Sequence, residues 1–335
     1  MRLLTFIFIW LSLANFGQIP QGYYDSAEGL TGQELRAALQ EIIDDHQEQS
    51  YASIWTHFQS TDPDENGLVW DMYSDIPGGN PAYTYTFIED QCGNYGAEGD
   101  CYNREHSFPK SWFDDAAPMV TDIFQIYPTD GYVNGKRSNY PYGYVGNASW
   151  VSTNGCKLGI CSYSGYSGIV FEPINEYKGD FARTYFYMMT RYRDLVSSWN
   201  SDMLDGGDLA GWSKEMLLEW GENDPVSQKE IDRNNAVYQI QNNRNPFIDH
   251  PEYADWIWGM PSGIADFRFK DLHWRINSDD AATFTICDIT GRIIAEGNVN
   301  DTDPDPGFNL KPGVYILILR GKSSFSSHKV YFGSR

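Results

Sequence analysis

The adjacent pair Glu105–His106, in the run Asn103-Arg-Glu-His-Ser-Phe-Pro-Lys-Ser-Trp112, constrains this chain more than any other feature. A carboxylate beside an imidazole offers a ligand for a hard cation and a base that titrates near neutrality. Phosphodiester hydrolysis uses the two together. On a regular strand, neighbouring side chains point to opposite faces. A site that uses both therefore needs irregular backbone at the pair, and Pro109 makes a break nearby expected. Histidine is scarce, six in 335 residues, so abundance does not explain its presence here.

The N-terminus reads as an address. Met1-Arg2, the mostly apolar Leu3–Leu13 and the small or polar Asn15-Phe-Gly17 have the form of a secretory signal peptide, residues 1–17, too short for a membrane span. No other stretch approaches about 18 apolar residues, so no stable membrane insertion is expected of the mature chain. Cysteine usage fits an oxidising compartment. Cys92 and Cys101 enclose a Gly-rich loop, and Cys156 and Cys161 enclose Lys-Leu-Gly-Ile. Each pair is spaced for a local disulfide worth roughly 2 kcal/mol; four free thiols is the alternative, and connectivity does not follow from sequence. Cys287 sits in an apolar run and reads as core. The net charge of −22 argues against a protein that coats nucleic acid by bulk attraction. It leaves room for an enzyme that grips a few phosphates around a bound cation, whose own charge dominates locally.

Along the chain the pattern predicts helices over Gln33–Gln49, opened by Thr31 and Glu34, over Gly179–Ser197, and over Trp212–Trp220. A further helix is predicted over Ser227–Gln241, with Glu230 three residues after its Ser227 start. Pro128 suits the first position of a short helix that Tyr140-Pro141 would end. Leu68–Met72 and Thr84–Ile88 are strand candidates, Tyr142–Gly168 reads as loop, and Pro251–Trp258 is short and aromatic. Past Met260 the pattern changes to strands at Thr283–Ile289, Arg292–Ala295, Val314–Leu319 and His328–Phe332. The expected fold class is α+β, with a helix-rich body over 18–260 and a small all-β, sandwich-like domain over 261–335.

Three segments carry groups a packed core does not need: Glu105–His106, the run from Asp122 through Asn134 to Asn139, and Gln241–His250. They lead to a resemblance. Arg104-Glu-His-Ser-Phe-Pro109, Tyr132-Val-Asn-Gly-Lys-Arg-Ser-Asn139, Glu172-Pro173, Gly179-Asp-Phe-Ala-Arg-Thr-Tyr-Phe-Tyr187 and Asn243-Arg-Asn-Pro246 together resemble the bacterial endonuclease I family of secreted, non-specific nucleases. The likeness runs from about Tyr23 to Trp258. It implies a ββα-metal (His-Me finger) core with His106 as general base and Glu105 and Asn134 as ligands of Mg²⁺, with Ca²⁺ or Mn²⁺ as alternatives. It also implies hydrolysis of DNA and RNA to 5′-phosphate products. Two departures stand out. A His frequent before the family's metal-binding helix is replaced by Phe124. The Cys-bounded insertion that carries a transition-state arginine in some members is absent, since only Phe113–Thr121 fills that space. Arg104, Arg137, Asn139 and Arg244 are the substrate-binding candidates.

The tail carries a second resemblance. Ile289-Thr-Gly-Arg-Ile-Ile294, Leu310-Lys-Pro-Gly-Val-Tyr-Ile316 and His328-Lys-Val-Tyr-Phe332 are similar to the type IX (Por) secretion sorting domain. That implies export by dedicated secretion machinery, and a monomer is expected outside the cell. Two other functions compete: a phosphodiesterase acting on smaller esters, and a non-catalytic glycan-binding or adhesion protein. The aromatic content of 16%, with 11 Trp, would suit the latter.

Overall fold

The computed structural model describes residues 19–259, 281–288, 290–298, 313–321 and 325–332. The signal segment predicted over 1–17 lies outside them. The amphipathic pattern after Thr31 forms α1 (Gly32–Ile43), ending short of Gln49. Acidic Asp44 and Asp45 follow its last turn, where the helix dipole disfavours negative charge. Asp44 and His46 are instead bound by Arg191. A short α2 (Ile54–Thr61) comes next. The strands expected at Leu68–Met72 and Thr84–Ile88 do not form. Val69 N donates to Tyr85 O and Trp70 N to Asp62 O, isolated bonds rather than a ladder. Ile88 sits at φ 71°, in the left-handed region that a strand does not admit.

The chain continues through β1 (Tyr102–His106), β2 (Ile126–Asp130) and α3 (Gly131–Arg137). Pro128 therefore lies on a strand opposite Arg104, not at a helix start. Helix α3 begins three residues later, after Asp130, and stops at Arg137 ahead of the Tyr140-Pro141 signal. Next come β3 (Val145–Val151), β4 (Lys157–Cys161) and β5 (Ile169–Glu172), one antiparallel sheet where a loop was expected. Strand β3 is mostly exposed, so it lacks the apolar alternation that announces a half-buried strand. This sheet also settles a cysteine pair. Cys156 and Cys161 bracket β4 and are free thiols. Five residues of extended chain span about 16 Å, far beyond the roughly 7 Å between Cα atoms that a disulfide allows.

Helix α4 (Lys178–Arg191) is buried along its entire length. Phe181, Tyr185, Met188 and Met189 are fully enclosed, each adding about 1.5–3 kcal/mol by apolar burial. Its polar side chains must then find partners inside the protein. Arg183 forks onto Glu230 at 2.5 and 2.8 Å, with Asp180 3.8 Å away. Glu172 is taken by Lys178 at 2.7 Å. Thr184 meets the Tyr127 hydroxyl at 2.6 Å.

The hairpin β6 (Leu204–Asp205)–β7 (Asp208–Leu209) leads to α5 (Gly211–Asn223) and α6 (Gln228–Gln241). The start predicted for α6 is observed in full, with Ser227 and Glu230 forming a reciprocal capping box. Short α7 (Pro246–Asp249) and α8 (Glu252–Ala254) follow. The predicted C-terminal strands appear as β8 (Ala281–Asp288), β9 (Ile293–Asn298), β10 (Gly313–Gly321) and β11 (Phe325–Phe332). They form one antiparallel sheet in the order β11-β10-β8-β9. The protein is α+β, with an all-β C-terminal region. Two compact units are present, one built on Gln40–Pro251 and the other on Tyr24–Leu39 with the chain from Glu252 onward. No helix of the described residues is long and apolar enough to cross a membrane.

The Arg183 cluster predicts a pH dependence. Burial pushes Asp224 up to about 6, and burial with the Glu230 charge holds Asp180 well above the usual carboxylate range. A carboxyl raised on folding favours the folded state while protonated. Its contribution is complete below about pH 4 and is lost as pH rises through about 6. Thermal melts of Asp224→Asn and wild type should therefore diverge between pH 4 and 6.5. The wild type is expected to lose a few °C more, the shift about 1 kcal/mol produces at this size. Parallel curves would contradict this.

Candidate active site

The site is built on the β1–β2 hairpin and the helix that follows it. Register pairs Asn103 with Thr129 and Glu105 with Tyr127. Asp130 ends β2 and caps α3, its carboxylate accepting from Val133 N at 2.8 Å. Gly131 N donates to Cys101 O at 2.9 Å, which ties the helix start to the base of β1. Strand and helix thus share a fixed corner.

Glu105 is buried at 2% exposure. Its Oε1 accepts from the Tyr73 hydroxyl at 2.8 Å and meets Arg137 Nη1 at 3.0 Å. Arg137 also donates to the carbonyls of His106 at 2.9 Å and Ser107 at 2.5 Å. Its guanidinium lies 4.5 Å from the Tyr142 ring centre. Burial pushes the Glu105 carboxyl up to about 7, with Arg137 and Tyr73 pulling it back. Both partners sit on Oε1, which leaves Oε2 as a hard-oxygen donor without a hydrogen-bond partner among the described residues.

Asn134, on α3, is half-buried and donates from Nδ2 to Asn103 Oδ1 at 2.6 Å. Asn103 and Glu105 are two apart on β1, so they share one face. The amide of Asn134 is therefore tied by its Nδ2 to the Glu105 face of the hairpin. Among the described residues, no group of three His, Cys, Asp or Glu could hold a metal. The protein oxygens that could hold a cation at this corner would then be one carboxylate and one amide. That set fits Mg²⁺, which usually keeps several waters and uses one or two carboxylates plus phosphate oxygens.

The backbone break expected at the pair does not form: β1 stays in register through His106, whose side chain therefore faces the other way from Glu105. Its Nε2 lies 3.1 Å from Val120 O. A carbonyl only accepts, so Nε2 carries the hydrogen and Nδ1 keeps its lone pair. Burial, with lesser repulsion from Lys110 and Arg104, holds the imidazole down at about 4, against the Val120 bond. It is neutral, and so able to act as a base, throughout the neutral range. The ring packs against Tyr51, centroids 5.9 Å apart and planes at 25°.

The remaining candidates divide sharply. Arg104 is half-buried between Tyr51 and Trp55. Asn139 is exposed, with only a 3.5 Å contact to Ser111. Arg137 and Arg244 were read as substrate contacts, but both are drawn into the interior. Arg137 serves Glu105, and Arg244 forks onto Asp249 at 2.6 and 2.7 Å. Asn243 and Asn245 are likewise buried network members. Sequence reasoning passed over Asn103, although its two-residue spacing from Glu105 was visible. It also passed over Tyr73, Tyr142 and the Val120 carbonyl, for which no local signal exists.

Cys92 and Cys101 form a disulfide. The loop they close places Tyr95 across Gly131 and Gly135 of α3. A Cβ on either glycine would come within 2.6 or 2.7 Å of the Tyr95 side chain. Glycine costs a helix about 1 kcal/mol relative to Ala, and two in a seven-residue helix are explained by this close approach.

A hairpin feeding directly into a helix, with carboxylate, imidazole and amide drawn from both, gives this corner a ββα hairpin–helix form. The Endonuclease I family matches residues 31–252, and the chain belongs to that family. Among its relatives is the extracellular ribonuclease of Bacillus subtilis (strain 168), 34% identical over 243 residues, covering 70% of this chain and 78% of that one. The extracellular ribonuclease of Bacillus amyloliquefaciens is 36% identical over 244 residues, with the same shares covered. A periplasmic deoxyribonuclease of Aeromonas hydrophila is 26% identical over 161 residues, 48% of this chain and 56% of that one. The protein is an endonuclease.

Arg137 has a measurable role. Arg137→Ala would strand a buried carboxylate and two carbonyls, a loss of about 3–5 kcal/mol. Urea denaturation is expected to register it. A change below about 1 kcal/mol would mean that the ion pair is not what holds this corner.

Proposed function

We propose that this protein is a secreted, divalent-cation-dependent endonuclease that cuts DNA and RNA with little sequence preference and leaves 5′-phosphates. The reading rests chiefly on the Asn134–Asn103 hydrogen bond, which joins the amide of α3 to the strand face that carries Glu105. Glu105 Oε2 and Asn134 Oδ1 would hold the cation, Mg²⁺ by preference, with Ca²⁺ or Mn²⁺ as substitutes. When bound, the ion supplies Lewis-acid neutralisation of the scissile phosphate. Arg137 and Tyr73 hold the Glu105 carboxylate in place from its other oxygen. His106 Nδ1 takes a proton from the attacking water, a contribution of about 10²–10⁴-fold. Val120 fixes the tautomer and the ring plane. Groups that grip phosphate do not read bases, hence the weak sequence preference.

The names of the relatives support both nucleic acids as substrates and a location outside the cytoplasm. Residues 1–17 then act as the export signal, 18–260 as the catalytic domain and 261–335 as a type IX sorting tail for the secretion machinery. The four-stranded region and its motif order support that last assignment.

Plasmid incubated with Mg²⁺ should be nicked, and excess EDTA should stop it. A small chromogenic diester run alongside separates a phosphodiesterase from a nuclease, and turnover of neither favours a binding protein. His106→Ala should lose at least 10²-fold in rate with its metal titration unchanged, whereas Glu105→Gln should weaken that titration. A His106→Ala variant as fast as wild type would remove the imidazole from the mechanism.

A further inference from the structure

Arg104 differs from five other arginines of the helix-rich body. Arg137, Arg183, Arg191, Arg233 and Arg244 each bind a carboxylate. Arg104 has none within ion-pairing distance among the described residues, in a chain of net charge −22. Its guanidinium lies 3.6 Å from the Tyr51 ring centre and 4.5 Å from that of Trp55. Nη1 donates to Tyr51 O at 2.6 Å. One of five N–H groups is thereby used, and the cation is held half-buried in a fixed pose.

The aromatic partners are also held. Trp55, on α2, packs edge-on against Phe58 and Tyr102. Tyr51 precedes α2 in a turn closed by Ser50 and Ser53, and it remains 37% exposed. Arg104 and His106 are two apart on β1 and share one face, and the Tyr51 ring contacts both. An uncompensated cation and a partly exposed aromatic ring thus adjoin the proposed base.

We propose that Tyr51, Trp55 and Arg104 form a nucleotide subsite next to the scissile phosphate, Arg104 taking a phosphate oxygen and Tyr51 stacking on an unpaired base. The inference rests on the nuclease reading and adds to it a substrate class: single-stranded nucleic acid is preferred over duplex. Stacking on Tyr51 requires a base face that a duplex has already covered with neighbouring bases. Every base has such a face, so the subsite remains tolerant of sequence.

The test uses two labelled oligonucleotides of one sequence, single-stranded and in a hairpin duplex, with the full mature chain and Mg²⁺. Tyr51→Ala should raise KM for the single strand about tenfold or more and for the duplex by clearly less, narrowing the preference. Tyr51→Phe, which keeps the ring, should restore the single-strand KM. Arg104→Gln should reduce the salt dependence of single-strand binding by about 0.7 in log–log slope, one phosphate contact. Equal losses on both substrates, or Tyr51→Ala kinetics matching wild type, would overturn the subsite while wild-type cleavage still upheld the nuclease. A wild type that cuts neither oligonucleotide would overturn both.

Discussion

The ion pair between Glu105 and Arg137, sealed from solvent, is the contact on which the site depends. It joins the end of β1 to the end of α3, and Arg137 extends the tie to the backbone of His106 and Ser107. The Tyr185 hydroxyl on α4 donates to the same Ser107 carbonyl at 3.0 Å, so the core helix holds the strand exit from behind. Such a pair is costly to bury and costlier to break. Its use here is geometric. A guanidinium with a fixed fork sets the carboxylate's orientation and the backbone turn after it in one step.

The same logic extends outward. Helix α4 is enclosed on every side, and its charged and tyrosine groups are answered from other elements: Glu230 on α6, Glu172 on β5, Asp122 before β2. Asp122 accepts from Tyr187 and Tyr192 at 2.8 and 2.7 Å, and Gln241 donates to it at 3.0 Å. A network this connected specifies one arrangement of helices more sharply than apolar contact alone does. It also leaves the rim of the site, where Tyr51 and Arg104 lie, as the part free to meet a ligand.

Much of this was legible from sequence where the cause is local. The Ser227–Glu230 cap, the α4 stripe and the C-terminal strands follow from spacing within a few residues. The irregular backbone expected at Glu105–His106 is not found, because β1 stays in register with β2 through both residues. Long-range causes were not legible. Arg137 and Arg244 are substrate-binding candidates by motif, and only the folded chain shows Glu105 and Asp249 as their partners. The β3–β5 sheet was missed because β3 has no face to bury. The pairing of Cys156 with Cys161 failed because sequence distance says nothing about extension. The Val120 carbonyl is a backbone atom, and no residue type announces it.

The contact of Tyr95 with Gly131 and Gly135 carries a consequence for how the hairpin–helix unit moves. Seven residues with two glycines form a helix too short and too weak to persist by itself. Its order is supplied from outside, by the ring that the 92–101 bridge presses onto it. Breathing of that loop and fraying of the helix are accordingly one event, and the amides of both segments should exchange with solvent at a common rate.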